Sequence, residues 1–261
     1  MRVIEPSVEI YTEYDHFRKI ETIARVCTGT QDKVGSKPGF VENLWEMHHS
    51  TPFEHVRVKV KFDRFKTDGR KNNLPYGFSS RLNRSEQQSS YSINARDFLS
   101  RGGTLYELQD LPEAKDYMTV KFTVDIGAAR EMVRHRQFSF QERSTRYCNM
   151  AGGIDFVRPV PFEWAEEGTE EFGLLKSAWT SAESAYQQMI LRGCRPQEAR
   201  ALLPLSTATV LYITGMHKQW EHLLKLRLAP GAHPQMRYIM EKLVELKDFP
   251  KDRIHVPEAG K

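Results

Sequence analysis

The strongest constraint on the fold is a strict alternation of apolar and basic side chains over residues 55–62. Only an extended chain, whose successive side chains point to opposite faces, divides such a pattern into two surfaces. The apolar surface comprises Val56, Val58, Val60 and Phe62, and the basic surface comprises Arg57, Lys59 and Lys61. The pattern therefore predicts a half-buried strand, and runs at residues 119–124 and 209–214 predict further strands.

Apolar residues three or four positions apart predict helices elsewhere. The longest such run covers residues 169–192, and Gly193 is a stop signal after it. Shorter runs predict helices at residues 17–27, 40–49, 126–135, 197–203, 217–228 and 234–247. We expect Gly215 to turn the chain from the last strand into the helix that follows. Together these patterns predict an α+β fold in which helices flank an antiparallel sheet.

A polar segment at about residues 63–118 interrupts this pattern. It is rich in Gly and Ser and contains only short apolar pieces, such as residues 95–99. We interpret it as a partly mobile insertion in a single domain that covers residues 1–261. Its arginines and tyrosines, with the basic strand face, leave open a protein that binds single-stranded nucleic acid without catalysis. Solvated basic faces are more common, so nucleic acid is the less favoured partner.

The composition argues against a membrane protein, a secreted protein and a metal-binding protein. No run approaches the roughly 20 apolar residues of a membrane helix, and the N-terminus lacks the apolar core of a signal peptide, so we expect a cytosolic protein without a membrane partner. Cys27, Cys148 and Cys194 lie far apart without CxxC spacing, which predicts free thiols and no metal site. The net charge of +4 fits an anionic small ligand as well as nucleic acid.

Residues 134–147, RHRQFSFQERSTRY, have the composition of a binding site. Basic side chains crowd here beside serines and aromatic rings, and Glu142 is the only acid. Guanidinium groups match phosphate oxygens bidentately, so an anionic ligand is the first hypothesis. Arg130 and Arg134 form a like-charge i, i+4 pair that an anion would relieve. Arg200 stands among apolar neighbours, where we expect it to pair with another group.

Cys148 leaves a third hypothesis open. It lies beside this basic stretch, where Arg146 could lower its pKa, so a cysteine-dependent enzyme acting on a nucleotide is an alternative. A lone cysteine without a positioned base is more often a small buried apolar residue.

The basic stretch also resembles a known signature. The string Arg134, His135, Arg136, seven residues and Ser144 is similar to that of the flavin-dependent thymidylate synthases, and Ser139, Glu142, Arg146 and Tyr147 fit its fuller form. Further similar blocks follow in order: ARVC at 24–27, HSTPFEH at 49–55, ARALLP at 199–204 and KLR at 225–227. The resemblance covers most of residues 17–245 outside the insertion.

This resemblance implies a function. Members of the family methylate dUMP to dTMP, taking the carbon from methylenetetrahydrofolate and the hydride from NADPH through bound FAD. They are homotetramers whose sites combine residues from several subunits. We therefore expect FAD as the cofactor, dUMP, NADPH and the folate as small-molecule partners, and a homotetramer.

The resemblance also implies roles for individual residues. The flavin would be held by His49, Thr51, Glu54, Arg134, His135, Arg136, Met216, Lys218 and His222. The dUMP site would comprise Glu131, Arg134, Glu142, Arg143, Ser144, Thr145, Arg146, Arg200 and Arg227. Arg227 is the expected catalytic residue, since a guanidinium can stabilise negative charge developing on the uracil ring. Family members often have Gln at the position of Glu131, Asn at that of Gln141, and Asn and Arg at those of Met216 and Lys218.

Overall fold

The computed structural model describes residues 1–61 and 90–257. Its strands are β1 (Arg2–Ile4), β2 (Ser7–Ile10), β3 (Arg57–Lys61), β4 (Ser90–Asn94), β5 (Tyr117–Asp125), β6 (Ser139–Glu142), β7 (Asp155–Val157) and β8 (Ala208–Met216). Its α-helices are α1 (His16–Val26), α2 (Phe40–Glu46), α3 (Ala95–Ser100), α4 (Leu105–Asp110), α5 (Ile126–Met132), α6 (Glu170–Leu191), α7 (Pro196–Ala199), α8 (His217–Arg227) and α9 (Pro234–Glu245).

The chain divides into two compact units. Unit 1 comprises Met1–Tyr11, Val26–Thr30 and Met118–Lys261, and unit 2 comprises Thr12–Arg25 and Gln31–Tyr117. The single domain and the insertion boundaries expected from the sequence stay predictions.

Unit 1 is built on a four-stranded sheet in the order β2-β5-β8-β6. Strand β2 pairs antiparallel with β5, and β6 pairs antiparallel with β8, with Ser139 opposite Thr214. Apolar residues of α5, α8 and α9 pack against this sheet in one core, in which Trp220 is fully buried and donates its Nε1 hydrogen to the carbonyl of Met118 at 3.1 Å. The predicted α+β class, with helices packed on an antiparallel sheet, is confirmed.

A second core of unit 1 lies along α6. Trp179 and Phe156 are fully buried and stack with their ring centroids 5.2 Å apart. Strand β7, which carries Phe156, pairs in parallel with β1, so this two-stranded pair departs from the antiparallel pattern. Thr169 caps α6 through its side chain, and Gly193 follows the helix at φ 89°, as the sequence predicted.

Unit 2 contains β3 and β4, which pair antiparallel with Val58 opposite Ile93. The sequence predicted a partly mobile insertion at about residues 63–118, and this stays a prediction. Within it, β4, α3 and α4 are regular elements that the sequence patterns did not indicate. Their apolar side chains, Ile93, Phe98, Leu99 and Leu108, are buried in one core with Phe53. The polar residues that suggested a loop cap these helices: Asn94 caps α3, and Thr104 forms a capping box at α4. Residues 63–89 lie outside the described residues.

Several boundaries differ from the sequence predictions; helix α5, for example, ends at Met132 and not at residue 135. Helix α2 ends at Glu46, before the predicted residue 49, and His48 has a left-handed φ of 59°. Gly215 does not make the predicted turn, because β8 continues through it to Met216. A Cβ atom at Gly215 would lie 2.3 Å from the ring of Phe138, so glycine is required there by close packing.

Within residues 1–61 and 90–257, none of the helices combines the length and the apolar character that crossing a membrane requires.

Candidate active site

The backbone after β6 is held in place at several points. Arg143 donates its backbone N–H to the carbonyl of Val210 at 2.9 Å, which extends the pairing with β8. Ser144 donates to the carbonyl of Cys27 at 3.0 Å. Its own carbonyl accepts from Cys148, and its Oγ accepts from the N–H of Arg146 at 3.2 Å. The sheet and this turn therefore fix where residues 142–146 present their side chains.

These residues open onto a cavity of about 750 Å³ in unit 1, which we call the arginine cavity. Its lining comprises Ile126, Arg130, Glu142, Arg143, Ser144, Thr145, Gln197, Arg200, Ala201, Leu203, Pro204 and Leu205. The structure thus brings together Glu142, Arg143, Ser144, Thr145 and Arg200, all expected at the dUMP site. Its volume suits a ligand of nucleotide size.

The arginine cavity is positively charged and its cations are not neutralised. Arg130, Arg143 and Arg200 form no ion pair with any residue that the structure describes. Nε of Arg143 is buried, and no described residue forms a hydrogen bond with it. Arg200 forms no ion pair in the described chain, although the sequence led us to expect a partner for it. Its side chain is exposed to solvent, so its charge does not need a partner within the protein. Such a set of guanidinium groups favours a phosphate or another anion.

Glu142 is the one carboxylate in the lining of the arginine cavity. Its Oε1 accepts a hydrogen bond from Thr209 at 3.0 Å. Burial raises the pKa of Glu142, while the hydrogen bond from Thr209 and the charge of Arg130 oppose that rise. A carboxyl group with a raised pKa offsets less of the positive charge around it.

Arg130 is a site residue that the list of predicted dUMP contacts omitted. It stands in the last turn of α5 and also lines a second cavity, of about 420 Å³, together with Glu131. Leu205 is common to both cavities. The sequence did contain a signal for Arg130, namely its like-charge spacing from Arg134, which a bound anion would relieve.

Arg227, the expected catalytic residue, forms a hydrogen-bonded cluster with Glu131 and His135, which we call the Arg227 cluster. Its Nη1 donates to Oε2 of Glu131 at 2.9 Å, and its Nη2 donates to the backbone carbonyl of Glu131 at 3.1 Å. Its Nε donates to Nε2 of His135 at 2.9 Å. Arg227 is therefore a paired cation at the C-terminal end of α8.

His135 must be neutral to take part in this cluster. A nitrogen that accepts a hydrogen bond carries no proton, so the proton of His135 lies on Nδ1. Burial lowers the pKa of His135, and the charges of Arg227 and His222 lower it further. The neutral imidazole is thus the form that the surroundings favour.

The remaining expected flavin residues fall in both units. In unit 1, Arg134, Arg136, Lys218 and His222 are exposed, and the first two form no ion pair within the described residues. Met216 donates its N–H to Oε1 of Gln219 at 2.6 Å. In unit 2, His49 and Thr51 are exposed, and Glu54 forms an ion pair with Arg96.

Arg146, which the resemblance places at the dUMP site, is exposed, and its guanidinium group lies over the ring of Tyr147.

The two alternative hypotheses gain little from the structure. Cys148 is buried, and its Sγ donates to the carbonyl of Cys27 at 3.6 Å. Burial raises the pKa of the neighbouring Cys27 thiol, so Cys27 lacks the character of an activated nucleophile. The basic face of β3 offers few cations to a nucleic acid. Arg57 is partly buried and donates to Ser92 at 3.1 Å, so the exposed cations of this face in the described chain are Lys59 and Lys61.

The sequence matches a known family. The profile of the family described as "Thymidylate synthase complementing protein" matches residues 114–250. A flavin-dependent thymidylate synthase of Synechocystis sp. is 27% identical over 187 residues, which cover 66% of this chain and 84% of that relative. A flavin-dependent thymidylate synthase of Thermus thermophilus is 32% identical over 132 residues, 46% of this chain and 48% of the relative.

Two further proteins are similar. A probable flavin-dependent thymidylate synthase of Paramecium bursaria Chlorella virus 1 is 26% identical over 153 residues, 51% of this chain and 68% of the relative. The crystal structure of a UMP/dUMP methylase from Streptomyces cacaoi aligns with a TM-score of 0.48 at 20% identity, covering 93% of this chain and 88% of that one. A structural likeness of that strength carries no weight for function.

Proposed function

Because the chain belongs to the family of thymidylate synthase complementing proteins, we propose that it methylates dUMP to dTMP with a bound flavin. The observation that carries this proposal is the arginine cavity, in which Arg130, Arg143 and Arg200 stand without ion pairs within the described chain. A 5′-phosphate supplies the negative charge that this arrangement lacks. The cavity volume leaves room for the sugar beside the phosphate.

The phosphate is held by Arg143 and Arg200, with Ser144 and Thr145 donating their hydroxyl hydrogens. Each charge-assisted hydrogen bond contributes about 1.5–3 kcal/mol, and two guanidinium groups match a phosphate dianion in charge. Arg146, exposed beside Ser144, and Arg134 join them in the proposed site. Glu142 accepts from Thr209 at the wall of the cavity, which orients its carboxyl group.

The pyrimidine ring extends from the phosphate towards Arg130, which lines both the arginine cavity and the second cavity. Methylation requires electron density at C5 of the ring, and this puts negative charge on the ring oxygens. Arg227 stabilises that charge as it develops, since two of its N–H groups remain after the three that contact Glu131 and His135. This role makes a cysteine nucleophile unnecessary.

The flavin fits residues beside this site. Arg134 and Arg136 are exposed cations without ion pairs in the described chain, which suits the pyrophosphate of FAD. The resemblance adds four further flavin contacts that also belong to unit 1, namely His135, Met216, Lys218 and His222. From unit 2, the resemblance supports His49, Thr51 and Glu54 as further flavin contacts. When bound, the flavin supplies the hydride for the reaction, and the protein contributes binding and orientation.

The remaining parts of the proposal rest on family resemblance. We infer that NADPH reduces the flavin, that methylenetetrahydrofolate donates the carbon, and that the protein is a homotetramer. Three free cysteines suit the reducing cytosol, where we place the protein.

The experiment that tests the function starts from the absorption spectrum of the purified protein after incubation with FAD. We expect a flavin spectrum, bleaching by NADPH, and dTMP formation when dUMP and methylenetetrahydrofolate are added. A protein that cannot be loaded with flavin contradicts the proposal. Salt-sensitive binding to single-stranded oligonucleotides by such a flavin-free protein supports the nucleic-acid alternative instead. Size-exclusion chromatography with light scattering tests the tetramer.

A further inference from the structure

We propose that Glu131 is a positioning residue for the methylation reaction, acting through Arg227 and not by binding the substrate itself. This inference rests on the proposed function. Glu131 contacts Arg227 with both its side chain and its backbone carbonyl, so it holds two of the three nitrogen atoms of the guanidinium group. His135 holds the third.

These three contacts fix the plane of the guanidinium group. A single contact would leave Arg227 free to rotate about its terminal bonds, whereas contacts at Nε, Nη1 and Nη2 leave no such freedom. The orientation of the two unused N–H groups is therefore set by Glu131 and His135 before any substrate arrives. A donor that is already oriented towards a developing charge does not have to reorganise during the reaction.

The position of Glu131 argues against direct contact with an anionic substrate. Oε2 of its carboxylate lies 2.9 Å from Nη1 of Arg227, and a carboxylate next to a phosphate or to negative ring oxygens would repel them. The ion pair also offsets part of the charge of Arg227. The side chain of Arg227 is 20% exposed and that of Glu131 is 33% exposed, so solvent screens the attraction between their charges. Glu131 therefore acts on Arg227 more through the fixed geometry of the contact than through its charge.

Substitutions of Glu131 separate geometry from charge. Glu131→Ala removes the side-chain acceptor, and we expect kcat to fall about 10-fold to 100-fold because Arg227 loses its orientation. Glu131→Gln keeps an acceptor of the same length, so we expect kcat within about 3-fold of the parent value. In both variants the Kd for dUMP, measured by calorimetry, should change less than about 3-fold, because Arg227 acts on charge that develops only during the reaction.

Glu241→Ala is the matched control. Glu241 also forms an ion pair with an arginine, Arg237, but it belongs to neither cavity and should leave kcat unchanged. Weaker dUMP binding that parallels the loss of kcat in Glu131→Ala would mean that Glu131 binds the substrate. Equal loss of kcat in Glu131→Gln and Glu131→Ala would mean that its charge matters and not its geometry. Either result overturns the proposal.

A second measurement does not depend on catalysis. Phenylglyoxal modifies arginines that are free of partners, and peptide mass spectrometry reports the rate at each position. We expect slow labelling of Arg227 in the parent protein, several-fold faster labelling in Glu131→Ala, and slow labelling again in Glu131→Gln, with exposed Arg136 as the internal reference. An unchanged rate in Glu131→Ala overturns the proposal. A protected Arg227 in a protein that makes no dTMP would instead contradict the proposed function.

Discussion

The arginines of the arginine cavity and Arg227 differ in what surrounds their charge. Arg143 and Arg200 line the cavity without an ion pair in the described chain, and the one carboxyl group in the lining, that of Glu142, has a pKa raised by burial. Arg227, by contrast, donates to Glu131 and to His135. One region keeps its positive charge unmatched, and the other fixes the direction of a guanidinium group.

This difference corresponds to two tasks that arginine performs in enzymes, namely binding a charged substrate and stabilising a transition state. Binding a phosphate requires net charge, which an ion pair inside the protein would cancel. Stabilising charge that appears only during a reaction requires a donor held in a defined place, which an ion pair can provide. If the chain has the proposed function, we therefore expect the arginine cavity to contribute substrate affinity and the Arg227 cluster to contribute to the rate.

Replacing Arg227 tests the second assignment and has the largest expected effect. We expect Arg227→Ala to lower kcat by about 100-fold to 1,000-fold, the usual cost of removing one donor that stabilises a transition state. The Kd for dUMP should change far less. Steady-state kinetics of dTMP formation and calorimetric titration with dUMP measure the two quantities.

Arg237→Ala is the control for Arg227→Ala, because Arg237 pairs with Glu241 on the surface of α9. Near-normal turnover by Arg227→Ala, with the oligomeric state unchanged, would show that Arg227 does not stabilise the transition state. The proposed difference in role between Arg227 and the arginines of the cavity would then be wrong.

Replacing Arg200 tests the first assignment. We expect Arg200→Ala to weaken dUMP binding by about 10-fold to 100-fold, since a hydrogen bond to a charged group contributes roughly 1.5–3 kcal/mol. The loss should shrink for deoxyuridine, which lacks the phosphate. Calorimetry with the two ligands provides the measurement, and Arg192→Ala, an exposed arginine at the end of α6, is the control. Equal losses for both ligands would place the phosphate elsewhere.

The smallest expected effect concerns Glu142 and pH. Burial raises the pKa of Glu142 in the folded protein above the ordinary value of a glutamate side chain, which it has in the unfolded chain. The stability contributed by its protonated form is complete below that value and is lost as the pH rises through the folded pKa. Glutamine cannot ionise, so Glu142→Gln does not lose this stability. The Tm of the variant minus the Tm of the parent should therefore increase from pH 4 to pH 7.

Thermal unfolding monitored by circular dichroism at both pH values measures this difference. Glu241→Gln provides the control, because the carboxylate of Glu241 is exposed. A Tm difference that is the same at pH 4 and pH 7 would show that Glu142 does not resist ionisation in the cavity.

Local patterns in the sequence were sufficient for most helices and strands. Period-two alternation located β3, and apolar spacing with Thr169 and Gly193 located α6, because these signals act between residues that are close in the chain. Local patterns did not indicate β4, α3 and α4, because the polar residues that cap these helices look like loop residues. Gly215 was misinterpreted for a similar reason, since the ring that excludes a side chain there belongs to distant Phe138.

The sequence by itself determined the fold class, the basic stretch at residues 134–147 and, through its resemblance, the family. Only the tertiary structure decided which arginines lie together in a cavity and which arginine is paired with a carboxylate. Arg143 in the extension of β6 and Arg200 after α7 meet in one cavity, and Arg227 at the end of α8 meets Glu131 from α5. Pairing depends on distances between elements far apart in the chain, and no local pattern of residues encodes those distances.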